Sequence, residues 1–124
     1  MSTLTKTEAL YELFNSFGVD AYPSGNVPEG AKYPYLTYTK GVGSPYESTL
    51  HYYDYTESEI SPDLAMDRIC DRFRNGGVHV EYDKGVIWAY ISHDDAHWYA
   101  SPDEADRFRK HRLANISLDF EGEF

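Results

Sequence analysis

The sequence predicts a single α+β domain in which an antiparallel β-sheet carries two α-helices on one face, as a two-layer sandwich. Apolar residues recur at helical spacing in residues 10–17 and again in residues 66–73. Segments rich in tyrosine and β-branched residues lie before and after the second of these patterns, as expected of strands. The order helix, strands, helix, strands is typical of this architecture. A chain of 124 residues suits one core, so we expect residues 1–124 to form one domain.

The first helix is predicted from one apolar face and from signals at both ends. Thr5 and Glu8 have the spacing of a capping box, and Gly18 is placed to end the helix. The apolar face consists of Leu10, Leu13, Phe14 and Phe17. A short extended piece at residues 20–22 and an exposed loop at residues 23–30 follow, because two prolines and two glycines interrupt any regular structure there.

Two paired strands are predicted at residues 33–39 and 47–56, joined through residues 41–45. Ser61, Pro62 and Asp63 then resemble an N-cap, a first-turn proline and a first-turn acid, so a second helix is expected to run to Gly76 and Gly77. A hairpin follows at residues 78–91 around the turn 83–85. The last strand places four apolar residues on one face: Ala114, Ile116, Leu118 and Phe120.

The chain is strongly acidic, with 21 acidic residues against 11 basic ones and a formal net charge of −10. Binding to phosphate backbones requires a positive surface, so general affinity for nucleic acid is not expected. The single cysteine, Cys70, excludes an internal disulfide and has the spacing of a core residue. The N-terminal segment has no apolar core of a signal peptide, and we expect the chain to stay in, or be assembled in, the cytoplasm.

Catalytic chemistry is weakly indicated, so we predict no enzyme activity and no cofactor. His93 and His97 are four residues apart, with two aspartates between them, and on a helix they would face one metal ion. The surrounding residues predict a loop, which favours a solvated polar turn; a small metal-dependent enzyme remains the alternative. His51 and His79 are expected to face solvent on strand surfaces.

Tyrosines and basic residues indicate a possible interface. Tyr46, Tyr52, Tyr53 and Tyr55 cluster on or beside one predicted strand, where they form either a contact surface or the core and rim of the sheet. Of these, Tyr46, Tyr53 and Tyr55 are the residues that we expect at an interface. A second cluster holds four of the eleven basic residues within residues 107–112, and these are Arg107, Arg109, Lys110 and Arg112.

Alternation along a strand would send the charges of this basic run to both faces of the sheet. We expect that a core strand could not hold them, and that acidic patches of a neighbouring copy bind them and set the register between subunits. The alternative is that they neutralise acids of their own chain.

Short motifs spread over most of the chain resemble the tail terminator and minor capsid (head–tail joining) proteins of long-tailed bacteriophages. They are FGVDAY at residues 17–22, YPYLTY at 33–38, DRI at 67–69, DKGVIW at 83–88 and NISLDF at 115–120, in that order.

This resemblance implies a virion protein without an active site. It would assemble as a homo-oligomeric ring, usually of six, cap the head-proximal end of the tail tube, and contact the tail tube protein and the head connector. DNA would pass through the bore without sequence-specific binding, and an acidic lining would keep it from adhering. The loops 23–30 and 41–45 would be docking elements. A neck or head-completion protein of the same fold is the alternative.

Overall fold

The computed structural model describes residues 3–41, 46–91 and 98–121, which form two α-helices and seven β-strands. Their order is α1 (Lys6–Phe14), β1 (Asp20–Pro23), β2 (Tyr35–Tyr38), β3 (Tyr46–Tyr55), α2 (Ile60–Phe73), β4 (Val78–Tyr82), β5 (Gly85–Tyr90), β6 (Tyr99–Ala100) and β7 (Arg109–Glu121). A 3₁₀ turn, Asn15–Phe17, extends α1. No helix within these ranges is long and apolar enough to cross a bilayer.

All the strands belong to one sheet, in the order β1-β2-β3-β7-β5-β4. β7, the longest strand, is central and pairs along one edge with the whole of β3. β5 pairs with the C-terminal part of β7, and β6 pairs with Arg112 and Leu113. Because β3 already pairs with those two residues, β6 must lie on the same edge of β7 as β5.

The α+β class is confirmed, and two details of the predicted architecture differ. β1 and β2 pair in parallel, with Asp20 opposite Tyr35, so the sheet is not wholly antiparallel. The segment between these strands is long enough to carry the chain back to the starting end of β1, which a hairpin turn could not do. The sheet also curls into a half-barrel, so the flat two-layer sandwich is not confirmed.

The predicted signals at both ends of α1 are confirmed. The Thr5 hydroxyl accepts the backbone N–H of Glu8 at 3.2 Å, and the Glu8 carboxylate accepts that of Thr5 at 3.0 Å. These reciprocal bonds satisfy two N–H groups that the helix leaves without partners. Gly18 follows the 3₁₀ turn with φ of 88°, a conformation that glycine adopts without steric cost.

The start of α2 differs from the prediction. The helix begins at Ile60, so Ser61 lies inside the first turn and is not the N-cap. The backbone N–H of Ser61 donates to the Ser58 hydroxyl at 3.0 Å, which gives the capping contact to an earlier serine. Asp63 does lie in the first turn, as predicted, but its carboxylate accepts a hydrogen bond from Arg112 on β7.

The core lies between the helices and one face of the sheet. Phe14 of α1 stacks on Tyr38 of β2 at 4.5 Å between ring centroids and contacts Phe73 of α2 at 6.5 Å. Cys70 is buried in the same core, as predicted, and burial raises the pKa of its thiol to about 11. On β7 the four predicted apolar residues, Ala114, Ile116, Leu118 and Phe120, are all buried.

Candidate interaction surface

The basic run 107–112 is divided between the two faces of the sheet, because it leads into β7 and successive side chains alternate. Lys110 and Arg112 point to the helix side, where their side chains are 10% and 5% exposed. Arg109 and His111 lie on the opposite face. The structure therefore does not bring the four basic residues together on one surface.

The first turn of α2 neutralises the two inward-pointing charges. Arg112 donates from Nε to Asp63 Oδ1 at 2.8 Å and from Nη2 to Glu59 Oε2 at 2.9 Å. Lys110 Nζ donates to the other Glu59 oxygen at 2.6 Å. Hydrogen bonds from Lys110 and then Arg112 lower the pKa of the Glu59 carboxyl below its ordinary value.

The expectation that a core strand could not hold these charges is wrong. Two acids at the start of α2, Glu59 and Asp63, form ion pairs with the inward-pointing basic residues of β7. This is the intrachain neutralisation that we considered as the alternative for the basic run, and it accounts for Lys110 and Arg112. Arg107 is exposed, with its guanidinium 4.9 Å from the centroid of the Phe108 ring. Of the four basic residues, Arg107 and Arg109 remain accessible to a partner.

The face of the sheet opposite the core carries a connected group of rings, which we name the aromatic face. Its members are Tyr22, Tyr33, Tyr35, His51, Tyr53, Tyr55 and His111, together with Arg109. Tyr35, Tyr53 and His111 lie directly opposite one another on β2, β3 and β7. Their rings are 5.3 Å and 4.5 Å apart, so they form a continuous row across three strands.

Arg109 is the charged group of the aromatic face. Its guanidinium lies 4.5 Å from the centroid of the Tyr53 ring, and its Nε donates to the Tyr33 hydroxyl at 3.2 Å. A carboxylate oxygen, Asp103 Oδ2, lies 3.6 Å from Nη1 and forms a loose ion pair with it. The Arg109 side chain is 33% exposed, so part of it remains accessible to solvent.

Two histidines on the aromatic face share a hydrogen bond. His51 Nδ1 and His111 Nε2 are 2.8 Å apart. Burial, followed by the influence of His51 and Arg109, lowers the pKa of His111 to about 4, and burial also lowers the pKa of His51. His51 is partly buried, so the expectation that it faces solvent is wrong; His79 is exposed, as predicted.

A groove of about 310 Å³ lies on the aromatic face between the strands and the loop after β1. It is lined by Ser24, Gly25, Val27, Tyr35, Thr37, His51, Tyr53 and Arg109. The loop 23–30, predicted as a docking element, therefore forms one wall of this groove. The loop is exposed as predicted, whereas its role in docking stays a prediction.

The three tyrosines predicted at an interface have different positions. Tyr46 stacks on Phe120 at 5.5 Å, and its hydroxyl is buried, so its ring belongs to the interior. Tyr53 and Tyr55 lie on the aromatic face, and Tyr55 is 52% exposed. The same strand therefore holds one interior tyrosine and two on the aromatic face, and a partner contact of those two stays a prediction.

Two other predicted elements cannot be placed. The His93 and His97 pair lies outside the described residues, as does most of the loop 41–45. Among residues 3–41, 46–91 and 98–121, no group of three or more His, Cys, Asp or Glu side chains is arranged to hold a metal ion.

No family model, curated protein or solved structure matches this chain. Sequence reasoning missed the His51–His111 pair and the contribution of Tyr33 and Tyr35. The available signal was the period-two placement of His51 with Tyr53 and of Arg109 with His111, but the pair emerges only once the register of β3 and β7 is known.

Proposed function

We propose that this protein is a structural virion subunit that self-associates into a ring, caps the head-proximal end of a phage tail tube and joins it to the head connector. The observation that carries the proposal is the aromatic face: a row of rings and a partly exposed arginine on the side of the sheet opposite the core. The resemblance of the five sequence motifs supports the choice of phage family. In this proposal the two helices cover the opposite face of the curled sheet and leave the aromatic face accessible.

The aromatic face has the composition of a protein–protein contact. Tyr33 and Tyr55 are 40% and 52% exposed, and their rings lie 5.7 Å apart. Tyrosine gives large apolar contact area and one hydrogen bond at a small cost in side-chain entropy. Arginine is also enriched where contacts contribute most to binding, and Arg109 lies within the same group of rings.

Charge favours an acidic partner for this surface. The chain carries a formal net charge of −10, whereas Arg107 and Arg109 are accessible near the aromatic face. An acidic patch of a second copy would therefore be attracted to this surface and not to most of the rest of the molecule. A heterologous contact of this kind closes into a ring when the rotation between neighbours divides a full turn.

Capping follows from the geometry of such a ring and needs no reaction. One axial face of the ring would match the end of the tail tube, and the other would match the head connector. The remaining acidic surface would line the bore, where it would repel DNA that passes through.

The direct test replaces Arg109 with glutamate and measures mass in solution over a range of protein concentrations. We expect Arg109→Glu to fold and to shift the ring toward single subunits, with a defect that depends on salt concentration. Arg68→Glu is the matched control, because Arg68 is exposed on α2 and undergoes the same charge change. Equal assembly of the Arg109→Glu and wild-type proteins would contradict the assignment of the aromatic face as the contact surface between subunits.

Position in the virion distinguishes the tail terminator from the neck protein that is its alternative. Cryo-electron microscopy of assembled particles would show the ring against the tail tube in the first case and against the portal adaptor in the second. Density at neither position would contradict both assignments, whatever the result of the mass measurement.

A further inference from the structure

We propose that His51 and His111 form a proton-operated switch, which holds the aromatic face together when the pair is neutral and loosens it when both imidazoles are protonated. The two residues are diagonal neighbours on β3 and β7, since Tyr53 is the residue directly opposite His111. The hydrogen bond between them depends on protonation, and it lies between the two longest strands of the sheet.

The hydrogen bond requires that one nitrogen carries a proton and the other does not. His51 Nδ1 and His111 Nε2 are 2.8 Å apart, which is the distance of a direct N–H···N bond. A neutral imidazole offers one donor and one acceptor, whereas an imidazolium offers two donors. Two neutral rings, or one neutral and one charged ring, can therefore keep the bond. Two charged rings cannot, because two N–H groups would face each other.

The surroundings oppose the second proton. Both rings are partly buried, and burial disfavours the charged form. Arg109 and Arg112 also disfavour charge on His111, and Asp103 is the carboxylate that favours it. Within residues 3–41, 46–91 and 98–121, the titratable and charged side chains near the pair are Tyr35 on β2, Tyr53 on β3, Tyr99 on β6, Arg109, Lys110 and Arg112 on β7, Glu59 beside α2, and Asp103 and Arg107 between β6 and β7.

Loss of the bond would spread to the neighbouring rings. His111 stacks on Tyr53 with 11° between the ring planes, and the guanidinium of Arg109 lies over the same tyrosine ring, 4.5 Å from its centroid. His51 lines the groove beside Tyr53. Two repelling imidazolium groups would separate, so that one ring moves into the groove. The shape and the charge of the aromatic face would then change together.

The direction of the pH effect follows from the lowered pKa values. Well above pH 6.5 the imidazoles are neutral in both the folded and the unfolded chain, and the full stability of the pair is present. Between pH 6.5 and about 4 the unfolded chain binds a proton at His111 that the folded chain excludes. Stability is therefore lost as the pH falls through this range.

The first experiment is a titration of the wild-type protein, at a concentration where its mass is that of a single copy. Long-range ¹H–¹⁵N spectra of the imidazole rings report the protonation state and the tautomer of each histidine. We expect both rings to hold the same tautomer at neutral pH, because an Nδ1–H donor on His51 requires an unprotonated Nε2 on His111, and an Nε2–H donor on His111 requires an unprotonated Nδ1 on His51. We also expect coupled titration and simultaneous changes in the Tyr53 ring signals on acidification. Independent titration of the two rings near the ordinary histidine pKa would overturn the proposal.

The second experiment compares His51→Phe with His79→Phe. Phenylalanine keeps a ring beside Tyr53 but removes the proton-dependent bond. Between pH 7 and 4, we expect the midpoint of thermal unfolding to fall by about 5 °C less in His51→Phe than in the wild type. His79 is exposed on β4, where its ring stacks on Trp88, so its variant should follow the wild-type profile.

Identical pH profiles of the wild type and both variants would contradict the switch. If His51→Phe does not fold, the wild-type titration decides the question alone. Neither readout needs a second copy of the chain, so failure of the switch and failure of the proposed ring are separate outcomes.

Discussion

Neighbouring residues of one strand have opposite environments in this protein. Arg112 is buried against α2, and His111, one residue earlier, belongs to the aromatic face on the other side of the sheet. Alternation alone predicts that the two side chains point in opposite directions. The sequence could not show that Glu59 and Asp63 would meet Arg112, because these acids lie about fifty residues away along the chain and on another element.

Replacing Arg112 with alanine should destabilise the fold. The change removes two ion pairs and the packing of a nearly buried side chain. Glu59 and Asp63 are partly exposed, so water can solvate their carboxylates once Arg112 is removed. We therefore expect the free energy of unfolding to fall by about 2–4 kcal/mol, which is less than for a fully buried ion pair. Denaturant unfolding followed by circular dichroism measures this loss.

Arg68→Ala is the matched control for this change, because Arg68 is an exposed arginine of α2. Its free energy of unfolding should change by no more than about 0.5 kcal/mol. A similar small effect for Arg112→Ala would show that the buried ion pairs do not stabilise the fold.

At the scale of elements, the turn between α2 and β4 fixes the helix against the sheet. The backbone N–H of Ile91 donates to the Phe73 carbonyl at 3.0 Å, and Trp88 Nε1 donates to the Gly76 carbonyl at 2.7 Å. Gly77 continues the turn with φ of 73° and lies directly against β5. The helix end and the hairpin are therefore joined by hydrogen bonds to the backbone carbonyls of Phe73 and Gly76.

Replacing Gly77 with alanine should disrupt this junction. A Cβ atom at residue 77 would collide with the Ala89 carbonyl oxygen and would lie 2.8 Å from Tyr90 Cβ, in addition to the strain of positive φ. We expect a loss of more than about 3 kcal/mol in the free energy of unfolding, because the colliding backbone cannot move aside. Thermal or denaturant unfolding measures it.

Gly18→Ala separates the collision from the backbone strain. Gly18 has φ of 88°, and a Cβ atom there would meet nothing within 4 Å. Its replacement should cost only about 1 kcal/mol. Equal losses for the two alanine variants would show that the contact with β5 is unimportant.

Local signals predicted the elements better than they predicted the pairing of elements. Helical spacing and the capping box identified α1, and the turn 83–85 identified the β4–β5 hairpin, because these patterns lie within a few residues of sequence. The parallel pairing of β1 and β2 and the curl of the sheet depend on contacts between distant segments. Those contacts have no short-range signature, and neither has the histidine pair.

At the scale of the whole molecule, the aromatic face is expected to supply binding energy and little folding energy. Tyr55→Ser removes an exposed ring that contacts Tyr33 and Phe108. We expect the dissociation constant for self-association to rise by at least about tenfold. Sedimentation equilibrium or mass photometry measures the change, and the free energy of unfolding of the monomer should fall by less than about 1 kcal/mol.

Tyr11→Ser is the matched control, because Tyr11 is 48% exposed on α1 and is not a member of the aromatic face. Its self-association should stay within about twofold of the wild-type value. Equal effects of the two serine variants would show that the contact does not lie on the aromatic face.

The central position of β7 also determines when the protein can fold during its synthesis. β3 and β5 have no direct pairing in the sheet order, and each pairs with β7, which follows both of them along the chain. Until the ribosome has released residues 109–121, the two halves of the sheet have no strand between them and expose unpaired edges. We therefore expect nascent chains stalled before residue 109 to be degraded by protease and released full-length chains to resist it.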